Sequence, residues 1–152
     1  MFIFTCCFSK KIITQELLEI SYKNTIPFVP PIDGGKVIKV YDGDTITIAA
    51  KLPYTGSPIY RFSVRLNGID SPEIKGKTAE EKRQAVAARD ALCDLIFGEM
   101  VILRNCGTEK YGRLLADVYF LNKERQEIHI NQWMIDNKYA IPYNGGTKIS
   151  YN

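Results

Sequence analysis

The chain has 152 residues, 45% hydrophobic and 24% charged, enough for one core that needs no disulfide or metal staples. A net charge of +3 permits an anionic partner without demanding one. The four cysteines, at 6, 7, 93 and 106, form no C-x-x-C, and the single histidine is His129, which disfavours both a zinc site and an oxidised disulfide framework.

The N-terminal "MFIFTCCFSKK" is a largely apolar run of eight residues, too short for a bilayer span of roughly 20. No positive region precedes it and no small-x-small cleavage site follows, so secretion is not supported and an intracellular location is expected. Phe2 rules out N-myristoylation, whereas Cys6 and Cys7, beside Lys10 and Lys11, are candidates for palmitoylation and tethering at an anionic membrane. A short amphipathic piece, "ITQELLEI", leads into "NTIPFVPPIDGG", whose three prolines and two glycines read as a linker. Residues 1–35 are therefore expected to be leader and linker, and residues 36–148 one folded domain.

"KVIKVYDGDTITIAAKL" carries apolar residues on both sides of an Asp-Gly and reads as two strands joined by a tight turn. "IYRFSVRL" alternates cleanly, with Phe62, Val64 and Leu66 on one face and Arg61, Ser63 and Arg65 on the other. A helix follows: Thr78 and Glu81 make a T-x-x-E start, Gly98 a stop, and Ala85, Ala88, Leu92, Leu95 and Ile96 recur at helical spacing. Cys93 within it reads as a small apolar residue. "MVILRN" and "LLADVYF" are two further strands. "IHINQWMIDNKYA" reads as a second amphipathic helix, with Ile128, Trp133 and Met134 as core and His129 inside it. Three strands, a helix, two strands and a helix predict a mainly β, α+β domain: a small five-stranded barrel of the OB type with two or three helices, rather than a parallel sheet.

Charge gathers at three strand ends or breaks, "YDGDT" (41–45), "RLNGIDSPE" (65–73) and "EKYGR" (109–113). Arg65 and Asp70 differ by five, so an unbroken strand would point them to opposite faces. Asn67-Gly68 is where a turn or bulge can reset that parity and let the two converge. Asp44, Asp70 and Glu73 brought together would repel unless a cation joined them, and oxygen-only donors favour a hard divalent ion, Ca2+ or Mg2+. Arg65 and Arg113 cannot coordinate metal, but each guanidinium fork matches phosphate oxygens. A metal, a spare carboxylate and two arginines together suit phosphodiester hydrolysis. Solvated turns and exposed arginines are the alternative reading of the same residues.

In the order "DGDT", "R-x-x-x-x-D-[ST]-P-E" and "KYGR", the chain resembles the staphylococcal nuclease (thermonuclease) family over residues 36–148. The resemblance implies a five-stranded OB barrel and Ca2+-dependent endonucleolytic cleavage of DNA and RNA, leaving 3′-phosphate ends. It implies that Asp44 and Asp70 ligate Ca2+ through carboxylates and that Ser71 adds its backbone carbonyl. Glu73 would be the general base, Arg65 and Arg113 would grip the scissile phosphate, and Lys110 and Tyr111 would bind a terminal phosphate. Tyr143 would stack on a base. The expected partner is nucleic acid with unpaired regions, bound by a monomer. Relative to secreted bacterial members, the loop between Glu73 and Thr78 is shorter, and with the sequence stopping at Asn152 their last helix is not expected. Two other readings are a non-catalytic nucleic-acid or protein-interaction module and a sequence-tolerant single-strand binder using the OB surface and nine tyrosines.

Overall fold

A computed structural model describes residues 20–146. Its strands are β1 (Gly34–Val40), β2 (Thr45–Lys51), β3 (Ile59–Leu66), β4 (Ile69–Asp70), β5 (Met100–Thr108), β6 (Leu114–Leu121), β7 (Glu127–His129) and β8 (Ile141–Pro142). Two α-helices, α1 (Ala79–Ile96) and α2 (Ile130–Asp136), and a 3-10 turn at Tyr22–Asn24 are the other elements among the described residues. The first strand begins at Gly34, and Ile32 just before it is already part of the core. Among the described residues no helix is long and apolar enough to cross a membrane.

The main sheet runs β3-β2-β1-β5-β6-β7, and an additional β3–β6 pairing closes its first five strands into a barrel. The β2–β3 ladder is a plain antiparallel meander from Thr45↔Arg65 to Lys51↔Ile59. The closing pair is parallel, Val64↔Leu114 through Leu66↔Ala116. Inward positions alternate as the period of two demands, and Ile46, Ile48, Val64, Leu66, Ala116 and Val118 are all fully buried. This is the five-stranded OB-type barrel that the strand order predicts.

Helix α1 covers the barrel with Ala88, Leu92 and Ile96. Its start is built as the T-x-x-E pattern suggests, the Thr78 hydroxyl accepting from the Glu81 amide at 3.0 Å. The Glu81 carboxylate accepts from the Lys77 amide at 2.8 Å, one residue earlier than a reciprocal capping box requires. The second helix is shorter than its periodicity predicts. Glu127, Ile128 and His129 pair with Leu121, Phe120 and Tyr119 of β6, so His129 ends a strand and stacks on Tyr119 at 4.6 Å. Helix α2 keeps only Ile130–Asp136 and ends before Lys138, whose φ of +62° leaves the helical region.

Candidate active site

Most of the candidate side chains stand at three breaks between strands, with Glu73 following β4 and Tyr143 following β8. The first is the loop 41–44 between β1 and β2, closed by the Tyr41 amide donating to the Thr45 carbonyl at 2.9 Å. The Asp44 amide donates to the Asp42 carboxylate at 3.2 Å, and the Asp44 carbonyl accepts from the Leu66 amide at 2.8 Å, pinning the loop to β3. Gly43 lets this loop close on its neighbours. A Cβ there would stand 2.8 Å from Ser71 Cβ and 2.9 Å from Ala88 Cβ. Gly43→Ala is therefore expected to destabilise the fold by about 1–3 kcal/mol, the cost of overpacking, seen as a lower urea midpoint at unchanged slope.

The second break separates β3 from β4. Gly68 has φ +73°, and this left-handed residue turns the chain so that Arg65 and Asp70 meet. The turn is anchored by buried Asn131, whose side chain donates to the Asn67 carbonyl at 2.8 Å and accepts from the Val118 amide at 2.9 Å. The third break, between β5 and β6, is a tight hairpin in which the Gly112 amide donates to the Glu109 carbonyl at 2.9 Å.

These breaks produce one connected set of charges. Arg65 forms an ion pair with Asp44, donates to Asp70 Oδ1 at 3.0 Å and reaches the Ile69 carbonyl at 3.2 Å. Asp44 also accepts from the Thr45 hydroxyl at 2.9 Å and from the Ser71 amide at 2.9 Å. The Thr45 hydroxyl in turn accepts from Arg113 Nη1 at 3.2 Å, and Arg113 Nε pairs with Glu109. Both arginines are thus joined through Thr45 and Asp44. Burial pulls the Arg65 guanidinium down, but Asp44 and then Asp70 outweigh it and leave its pKa above the ordinary value. Asp42 is pushed up to about 6, chiefly because burial starves its carboxylate of water and then because Asp44 repels it.

An open cleft of about 540 Å³ is lined by Asp44, Arg65, Ser71, Glu73, Lys110, Tyr111, Arg113 and Tyr143. Of the residues predicted for the site, Asp70 alone of the described ones does not line it. It lies behind the wall, 2% exposed, reached through Arg65. Tyr143 is fixed by its amide donating to the Gly68 carbonyl at 2.8 Å and its hydroxyl donating to the Gly146 carbonyl at 2.7 Å. Cys6 and Cys7 fall outside the described residues. Tyr41, Asp42 and Glu109 also line the cleft, although the sequence reading assigned them no role. Their signal was proximity: each belongs to one of the three charged stretches.

The donors suit a hard cation in part. Asp44 and Asp70 offer carboxylate oxygens, and the Ser71 hydroxyl beside them is a buried polar atom with no hydrogen-bond partner. Among the described residues, however, no three acidic, histidine or cysteine side chains are gathered tightly enough to hold a metal by themselves. An ion here would rest on two carboxylates, a main-chain carbonyl and water, which is the donor set expected for Asp44, Asp70 and Ser71.

Comparison with known proteins points to one family. The family described as "Staphylococcal nuclease homologue" matches residues 63–150, more than half of the chain. The chain is 32% identical to Protein ParB of Escherichia coli over 116 residues, 72% of this chain and 56% of that protein. It is 33% identical to an uncharacterized endonuclease of Haemophilus influenzae over 108 residues, 71% of this chain and 51% of the relative. To the micrococcal nuclease of Shigella flexneri it is 30% identical over 113 residues, 72% of this chain and 58% of that enzyme. The chain thus spans about half the length of the curated relatives it matches. By this match over more than half of its length, the chain belongs to the staphylococcal nuclease homologue family.

Proposed function

We propose that the protein is a Ca2+-dependent endonuclease that hydrolyses phosphodiester bonds of DNA and RNA and leaves 3′-phosphate ends. The observation that carries this reading is the convergence of Asp44, Glu73 and both arginines on one open cleft, with Asp70 fastened behind them by Arg65.

Asp44, Asp70 and the Ser71 carbonyl would hold Ca2+, which when bound polarises the phosphoryl group and offsets its charge. Glu73 takes a proton from the attacking water as the P–O5′ bond breaks, so the phosphate stays on the 3′ side, and the leaving O5′ takes its proton from solvent water, to which Glu73 later returns its own. The forks of Arg65 and Arg113 bind the phosphate oxygens and stabilise the charge that grows on them. Arg113 is pre-aimed by Glu109 and Thr45, which lowers the ordering cost of that grip. Lys110 and Tyr111 take the neighbouring phosphate, and Tyr143 meets a base.

Incubating the protein with heat-denatured DNA tests the reading. Fragmentation is expected in millimolar Ca2+ and none with excess chelator, followed on a denaturing gel with end-group analysis. Intact DNA retained in a complex at every Ca2+ concentration would instead establish the single-strand binder.

A further inference from the structure

Tyr41 follows β1, just before the buried acidic loop, and is 50% exposed while lining the cleft. Its main chain is held by the hairpin bond to Thr45, so the ring is carried on a fixed base. Lys39, exposed on the same strand, places its Nζ 5.6 Å from the centre of that ring. The β5–β6 hairpin repeats the pattern: Lys110 Nζ lies 4.9 Å from the centre of the Tyr111 ring, which is 73% exposed and lines the same cleft. Between the two hairpins runs the Thr45–Arg113 hydrogen bond, with Asp44 and Arg65 beside it. A lone exposed tyrosine needs no explanation. A lysine–tyrosine pair on each hairpin, both tyrosines lining the cleft that Arg65 and Arg113 also line, calls for one.

We propose that Lys39 and Tyr41 form a second nucleotide subsite, in which the Tyr41 ring stacks on a base of a single strand and the Lys39 ammonium meets that nucleotide's phosphate. The cleft then holds a strand on both sides of the scissile phosphate, which favours cuts inside a chain over removal of a terminal nucleotide. An aromatic face accepts any base, so this subsite adds affinity for unpaired strands without sequence preference. A base in a duplex is already stacked and cannot use it. For cleavage the inference rests on the nuclease reading of the same cleft, but for binding it does not.

Binding of a fluorescent single-stranded DNA octamer, measured by anisotropy in excess chelator, tests the subsite without turnover. Tyr41→Ala is expected to weaken binding by about five- to a hundredfold, and Tyr41→Phe, which keeps the ring, by less than twofold. Lys39→Ala is expected to flatten the dependence of log affinity on log salt by about 0.7, one phosphate contact on a single strand. In the Ca2+ digestion, Tyr41→Ala raises KM for the octamer by a similar factor and changes kcat less than twofold. Equal affinities for wild type and Tyr41→Ala overturn the proposal, and a loss in Tyr41→Phe as large as in Tyr41→Ala overturns the stacking role. If no variant cleaves DNA, the nuclease reading fails while the anisotropy result still decides the subsite.

Discussion

Replacing Glu73 with glutamine is expected to lower kcat on denatured DNA by about 10²- to 10⁴-fold while leaving KM within a few-fold. Glutamine keeps the size of the side chain and one carbonyl oxygen, so it can still orient a water. It cannot accept the proton that the water loses when it attacks phosphorus. The effect therefore falls on the transition state rather than on binding, which a split between kcat and KM reads directly. Glu73 lines the cleft beside Asp44 and Arg113. A Glu73→Gln protein that cleaves within tenfold of wild type would remove Glu73 from the chemistry and leave solvent hydroxide as the nucleophile's source.

Much of this architecture is legible in the sequence because the signals are local. Phe62, Val64 and Leu66 alternate over enough residues to fix both a strand and its inner face, and Val64 and Leu66 are fully buried. The convergence of Arg65 and Asp70 follows from a parity count and one glycine, and Gly68 does take the left-handed conformation that the count requires. Longer-range or shorter features escape. The parallel β3–β6 pairing joins residues some fifty positions apart, and nothing in either strand names its partner. The β4–β8 pair is two residues on each side, below the length at which alternation can be seen. "EIHINQW" fits both a period of 2 and a period of 3.6, and the edge of β6, not propensity, decides that Glu127–His129 is strand. The Glu109–Arg113 pair needs the hairpin that brings positions 109 and 113 together, so Glu109 reads only as a surface charge until the turn is known.

Arg65→Ala is expected to cost about 3–5 kcal/mol of folding stability, because it removes a charged partner from two buried carboxylates at once. Asp44 and Asp70 are 3% and 2% exposed, so water cannot take over the role of the guanidinium. Asp44 keeps its bonds from Thr45 and Ser71, which limits the loss. For a chain of this size the cost corresponds to a melting temperature lower by roughly 6–20 °C. A double-mutant cycle isolates the cause: in an Asp70→Asn background, where one of the two charges is gone, Arg65→Ala should cost less by about 1–3 kcal/mol. Simple additivity would mean that Arg65 stabilises by packing its stem and not by its charge. Millimolar Ca2+ should restore part of the lost melting temperature if Asp44 and Asp70 hold the cation, and this readout needs no activity. The same arginine is asked to grip phosphate, and its two tasks can be pulled apart. Arg65→Lys keeps a positive charge near Asp44 and Asp70 and should recover much of the stability. A single ammonium cannot span both aspartates and present a fork to a phosphate, so activity should stay well below wild type. A lysine variant that is stable and fully active would confine Arg65 to holding the acidic pair and leave Arg113 as the arginine that works on the substrate.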